Sequence, residues 1–513
     1  RALGSVYVND TQGNGFQPDI NYRGFTSSPL LGTPQGLSVY MDGVRLNQPF
    51  GDVVSWDLIP KSAIKSMAMM PGSNPLFGRN TLGGALSMET KDGKSNPGTS
   101  IQGLGGSYGR NAYEFEHGGS DKKTGLNWFL TGNYYQDHGW RESSPSNVRQ
   151  IFGKAGWEGE RSELKLTTAF NDNGLNGNGL QDFRLLNQDY TSVYTKPDIT
   201  ENRSLFINLE GKHQLNSKIQ LTGNTYYRNI KTGTYNGDIN EGAIEFYSDP
   251  LKNHLIPTST QECLAQTGEP NNTGEFLEAC NGLINRSTTQ QQNWGTSGQA
   301  IISDKIFGKD NQLLFGGAYD QSVMSFNQST QFGYLTADRG VAGIPHFADG
   351  LTGGVDDNGV DYDNRVSLGG DTITWSFFTQ DTVSLTKDLH ITASGRYDYT
   401  SLSNKDQITP SGSTSLTGKH AFDRFNPSVG LTYNPYKEIG FYAGYNEGTR
   451  APTSIELGCA NPDQPCKLPN AMAGDPPLKQ VITENWEAGF RGQLPGQVDW
   501  NLGYFHIENN NDI

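Results

Sequence analysis

The chain has 513 residues and a formal net charge of −15; only 34% of its residues are hydrophobic, yet aromatics reach 11% and glycines number 64. This length exceeds one compact soluble core, the aromatic content excludes a disordered polymer, and the acidic balance excludes a nucleic-acid partner, which would need clustered Lys and Arg. No run of about 18 apolar residues occurs, so no transmembrane helix is expected, while a barrel of alternating strands remains open.

Residues 1–98 have short apolar runs and frequent turn dipeptides, among them Arg23-Gly24, Asp42-Gly43, Pro71-Gly72 and Gly83-Gly84. They predict a small, turn-rich domain of mixed α/β type rather than a series of spanning strands. Met67, Met69, Met70 and Met88 offer soft thioether ligands for copper. The alternation in Met67-Ala68-Met69 instead predicts one face of a buried strand.

Residues 99–513 repeat one theme, runs of nine to fifteen residues that alternate apolar and polar. In Ile391-Thr392-Ala393-Ser394-Gly395-Arg396-Tyr397-Asp398-Tyr399 the odd positions are apolar, small or aromatic, and the even ones carry hydroxyls and charges. A strand exposes its faces with period two, so one face suits lipid and the other water. Breaks between runs alternate short (120–123, 158–161, 214–217, 386–388, 434–437) and long (173–202, 231–292, 325–372, 401–424, 447–482). Short periplasmic turns and long extracellular loops are the signature of a bacterial outer-membrane barrel. About fifteen strands are expected. That odd number, with an ending at Asn509-Asn510-Asn511-Asp512-Ile513, predicts further C-terminal strands, because an open sheet edge is costly in lipid.

The four cysteines fall into two local pairs, Cys263 with Cys280 and Cys459 with Cys466, each closing a short polar loop. They predict two disulfides of an oxidising compartment, each contributing roughly 2–3 kcal/mol by loop entropy; zinc is the alternative, but no His stands nearby at ligand spacing. Asp356, Asp357, Asp361 and Asp363 could offer oxygens to calcium, although the run lacks the full spacing of an EF-hand loop and reads first as a solvated acidic loop. The eight histidines show no catalytic spacing, and no enzyme activity is expected.

Four ordered motifs resemble the TonB-dependent outer-membrane receptor family, of ferric-citrate or siderophore type. They are Asn21-Tyr22-Arg23-Gly24-Phe25 with Val39-Tyr40-Met41-Asp42-Gly43-Val44; Pro71-Gly72-Ser73-Asn74-Pro75-Leu76-Phe77-Gly78-Arg79-Asn80-Thr81-Leu82-Gly83-Gly84-Ala85; Gly444-Tyr445-Asn446-Glu447-Gly448-Thr449-Arg450-Ala451-Pro452; and Glu484-Asn485-Trp486-Glu487-Ala488-Gly489-Phe490-Arg491. The resemblance implies an all-β transmembrane barrel, 22-stranded in the full protein, with residues 1–98 as a plug inside the lumen and residues 99–513 as barrel. It also implies an energy-coupling segment, the TonB box, upstream of Arg1. The family's second plug arginine, usually in an Arg-Gly-Pro run, is replaced here at Met70-Pro71-Gly72.

On that resemblance the expected activity is import of a scarce nutrient to the periplasm by a monomer in the outer membrane. Its partners would be TonB, outer-membrane lipid and lipopolysaccharide, and a small metal chelate, with no bound cofactor. A ferric chelate is the expected cargo; cobalamin, a glycan, or a copper or zinc chelate are alternatives, and a passive porin or adhesin is a further one. Candidate ligand contacts are plug turns facing outward: Arg45, Asn47, Gln48, Phe50 and Asp52 in one, and Ser28, Leu30 and Thr33 in a second. The first offers a cation, amides and an aromatic together, the donors an anionic or planar chelate needs. Arg23 and Arg79 are expected to anchor plug to barrel through carboxylates such as Glu447 or Glu487.

Overall fold

The computed structural model describes residues 5–10, 12–74, 77–240, 259–265, 280–348, 352–355, 361–412, 415–458, 478–496 and 498–511. Strands Val6–Asn9, Asp19–Tyr22 and Phe25–Ser27 form one small antiparallel sheet. A second sheet has the order Val44–Arg45, Leu37–Met41, Gly84–Thr90, Ile64–Pro71, with its central pair parallel. The hairpin inside it turns at Asp42-Gly43, both at positive φ (47° and 77°), the turn geometry that matches strand twist and that Asp-Gly favours. Helical structure in this domain amounts, among the described residues, to two single 3-10 turns, Trp56–Leu58 and Lys61–Ala63, and a 3-10 position at Phe77.

Fifteen further strands, from Gly98–Gly105 to Val498–Asn510, run antiparallel in one continuous path, each bonded to its neighbour in sequence; a short strand, Val341–Phe347, lies beside Lys309–Leu335. Alternation sorts their side chains as the pattern predicts. Trp375 and Phe377 are 50% and 62% exposed on the outer face, whereas Thr374 and Ser376 between and beside them are buried inward. The first domain fills the lumen. Its apolar core of Val39, Met41, Val44, Trp56 and Leu86 is continuous with inward Phe129, Phe152 and Phe206 of the wall.

Several segments expected as loops are strand. Ile219–Ile239, Gly282–Ile306 and Lys309–Leu335 run 21, 25 and 27 residues, against the ~9–11 that cross a bilayer. Beyond the lipid both faces are wet, so Thr, Asn and Gln replace the alternation although the ladder of backbone hydrogen bonds continues. The tight hairpin between Ile306 and Lys309 also belongs with the short turns, flanked by polar runs that hid it.

Candidate functional site

Two turns of the inner domain reach toward the long-loop end. In the first, Asn14 donates to Ser146 Oγ and to the Asn176 carbonyl, both beside long loops, and Phe16 packs edge-on against Tyr135. The second spans 28–34. Ser28 is buried and organises it: its amide donates to Gln35 Oε1 and its hydroxyl accepts from Leu30 N. Leu30 and Thr33 are half-buried, and Gly32 and Pro34 are exposed at the tip. Leu31 behind them packs on Phe50, Met324, Phe326 and Ile455.

The turn 45–52 lies deeper. Arg45 forms a bidentate ion pair with Asp52 (2.8 and 3.0 Å), both side chains buried. Asn47 receives Val39 N and donates to the Leu37 and Asp52 carbonyls. Gln48 donates to Ser55 and accepts from wall residue Gln291, while Phe50 is 1% exposed and stacks on Phe326 at 4.9 Å. Wall residue Arg228 donates to the backbone carbonyls of Arg45, Leu46 and Asn47. No buried side-chain polar atom of this turn lacks a hydrogen bond, and the turn packs between plug and wall. Arg45 also borders a cavity of about 470 Å³. That cavity lies in the short-turn half, between Tyr40, Asp42 and Arg79 of the inner domain and wall residues such as Lys165, Glu210 and Gln299.

Arg23 pairs with Glu487 at 2.7 Å and stacks over Phe505. Arg79 donates instead to the Thr374 hydroxyl, and Glu447 is held by Arg424 and by Tyr445 OH on the wall itself. Other anchors escaped the sequence. Lys154 on the wall reaches Asp42 at 2.8 Å, both nearly solvent-free; its only signal is inward parity with Gln150 and Phe152. Asp57 is buried beneath Asn173 and Asn202, whose amides donate to its carboxylate at 2.9–3.1 Å. Burial pushes its carboxyl up to about 6, the two amides pulling the other way.

Gly72 and Gly448 allow the closest approaches. A β-carbon on Gly72 (φ 69°) would meet the Asn485 and Asn446 amides, and one on Gly448 would lie 2.4 Å from the Thr81 carbonyl. Cys263 and Cys280 form a disulfide. Cys459 and Cys466 lie outside the described residues, as do Asp356 and Asp357; Asp361 and Asp363 are described only through the backbone of strand Asp361–Asn364. Met88 is buried opposite Met67, which is 53% exposed.

A membrane-type β wall with short turns at one end, long loops at the other and a folded domain wedged in its lumen defines a plugged outer-membrane barrel. Residues 155–513 match the TonB dependent receptor-like β-barrel family, and residues 1–85 match the TonB-dependent receptor plug domain. The chain belongs to the TonB-dependent receptor family, whose place is the outer membrane and whose members are receptors and transporters rather than enzymes. It is similar in fold to the unliganded ferric citrate transporter FecA (14% identity, TM-score 0.71, 99% of this chain and 66% of that one). It is also similar to the ferric yersiniabactin uptake receptor FyuA of Yersinia pestis (12%, 0.66, 99% and 68%) and to the ferric-catecholate import receptor Fiu of E. coli K12 in its closed form (13%, 0.69, 99% and 70%). The chain thus spans about two thirds of the length of these structures. No curated protein sequence matches it.

Proposed function

We propose that this protein is a TonB-dependent importer of a ferric chelate. The observation that carries the reading is the plug itself: it fills the lumen and is tied to the wall by discrete polar contacts, Arg23 to Glu487, Asp42 to Lys154 and Asp57 to Asn173 and Asn202. A passive pore has no use for such a stopper. Each of these contacts is one ion pair or a few hydrogen bonds, so together they hold the domain while an applied force can break them one at a time, at a few kcal/mol apiece. Ferric cargo is favoured by the citrate, yersiniabactin and catecholate receptors whose fold it shares.

The chelate docks on the long-loop side, over the exposed tip of the 28–34 turn with Leu30 and Thr33. The buried turn 45–52 supports that tip through Phe50 and Leu31 rather than touching cargo. Binding shifts the plug's conformational population toward a form that TonB engages, and the 470 Å³ cavity in the short-turn half gives the displaced plug or cargo room to move. Radioiron uptake by cells carrying the full-length gene, over a panel of ferric chelates with and without TonB, tests this. Receptor- and TonB-dependent uptake of one chelate is expected; uptake that persists without TonB would return the reading to a passive pore.

A further inference from the structure

Arg228 carries its charge into the seam between plug and wall. Its side chain is buried, and both terminal nitrogens are spent on the backbone carbonyls of Arg45, Leu46 and Asn47. Those partners are neutral, and among the described residues Arg228 forms no ion pair. Arg45 beside it is already matched by Asp52. Arg79, which borders the same cavity as Arg45, donates to the Thr374 hydroxyl. Asp320, two residues from Ser322 on the same face of the wall, accepts the Tyr226 hydroxyl. Around this turn, among the described residues, the three guanidiniums of Arg45, Arg79 and Arg228 therefore stand against the two carboxylates of Asp52 and Asp320. An unmatched charge taken out of water is strongly unfavourable unless an opposite charge joins it.

Three hydrogen-bond donors at this point also lack partners. The Nε of Arg228, the side-chain amide of Asn293 and the hydroxyl of Ser322 make no hydrogen bond among the described residues. Arg228, Asn293 and Ser322 are only 5%, 3% and 5% exposed, and buried polar atoms are almost always bonded, to protein, to water or to an ion. Register sets Arg228 opposite Asn293, and Asn293 opposite Ser322, on three adjacent wall strands. Opposed side chains stand about 4.5–5.5 Å apart at their β-carbons, so one small ion over the middle strand is within reach of all three. Two residues toward the long loops, Gln291 is bonded to Gln48 and to the Phe50 amide, and Met324 packs with Phe50 and Phe326. Two residues toward the short turns, Tyr226 and Asp320 border the cavity of about 470 Å³, which gives an ion a way in.

We propose that Arg228, Asn293 and Ser322 bind one small monovalent inorganic anion, chloride, as the counter-ion of the plug's seat. The ion takes one hydrogen from each of Arg228 Nε, Asn293 Nδ2 and Ser322 Oγ, and Asn293 Oδ1, turned away from it, is left to water. The donor set favours a sphere over an oxyanion. Phosphate and carboxylate are matched by two parallel N–H groups of an arginine fork, and here both terminal nitrogens already hold plug carbonyls. The anion keeps the guanidinium in the posture that grips residues 45–47. Without it the charge is drawn toward the wet cavity and the grip loosens. This role belongs to the seat of the plug and is independent of which cargo is carried.

The test uses the full-length receptor purified in detergent, with sodium chloride exchanged at constant ionic strength for sodium bromide or for sodium gluconate, whose anion is too large for the site. Crystals grown in bromide should show an anomalous peak between Arg228, Asn293 and Ser322. Protease cleavage of the plug should slow about tenfold between gluconate and chloride at ten times its Kd, by the factor 1 + [L]/Kd. Asn293→Asp puts a fixed negative charge in the ion's place. It should lose the bromide peak, resist protease in gluconate as wild type does in chloride, and no longer respond to chloride. Ser322→Ala should need more chloride for the same protection. No bromide peak, or equal cleavage of wild type in chloride and gluconate, overturns the site and leaves these atoms to water. A peak with no effect on cleavage marks an adventitious ion only and overturns it as well, as does an Asn293→Asp variant that still responds to chloride.

Discussion

Arg45 offers an anionic chelate a cation, and that cation already makes contacts within the protein. Its guanidinium is bonded to Asp52 and its carbonyl is held by Arg228, so removing it strands a buried carboxylate. Arg45→Ala should destabilise plug seating by about 3–5 kcal/mol, the usual cost of breaking a buried pair, and Asp52→Ala added to it should recover part of that loss. Protease accessibility of the plug in intact outer membranes reports this. A variant with weaker chelate binding and an undisturbed plug would place Arg45 in the ligand site instead.

Asp57 carries the pH dependence at this scale. Its carboxyl titrates at about 6 in the folded protein and at 3.8 when solvated. Below 3.8 it is protonated in both states. Between 3.8 and 6 the unseated plug gives up the proton first, so seating weakens as pH rises and the loss is complete above 6. Two units correspond to on the order of 3 kcal/mol. Thermal unfolding of wild type and Asp57→Asn should therefore diverge in the variant's favour from pH 4 to 6 and run parallel above it. A constant difference across that range would mean that Asp57 does not titrate there.

At the scale of elements, the seam between plug and wall depends on backbone approach as much as on side chains. Gly448 lies in a wall strand against Ser73 and Thr81, with no room for a β-carbon. Gly448→Val should lift the plug from this seam, raising its protease sensitivity and conductance through the barrel, while the outer wall still assembles. Phe377→Arg reverses the pattern: it places a charge on the lipid face at a cost of about 2–4 kcal/mol and should reduce heat-resistant, folded barrel on gels without touching the plug. The wall was legible because lipid on one side and water on the other imprint a period of two, as in 391–399. Where strands leave the membrane, as at 231–239 and 282–292, that imprint fades and the sequence reads as loop. The plug's anchors were only half legible. Arg23 sits in a motif, but Lys154 and Asp57 owe their partners to a tertiary contact that no local spacing encodes, and burial of the 45–52 turn likewise comes from Phe326, Gln291 and Arg228 on distant strands.

For the whole molecule, transport requires the plug to move relative to a rigid, continuously hydrogen-bonded wall. Ser62 of the plug and Thr131 of the wall bring their hydroxyls to 2.9 Å in a buried contact, so cysteines placed at the two positions would face each other across this seam. The pair Ser62→Cys, Thr131→Cys, oxidised, should leave chelate binding at the cell surface unchanged, because the 28–34 tip is far along the chain and on the long-loop side. Radioiron uptake should fall to the level of a TonB deletion and return on reduction with a membrane-permeant thiol. Each single cysteine should transport normally. If the oxidised pair still transports, the plug moves with this seam intact, and release must be confined to the opposite side, around Arg23, Gly72 and Gly448. If binding falls together with uptake, the lock distorts the docking surface, and the plug's seat and its cargo face are one coupled unit rather than two layers.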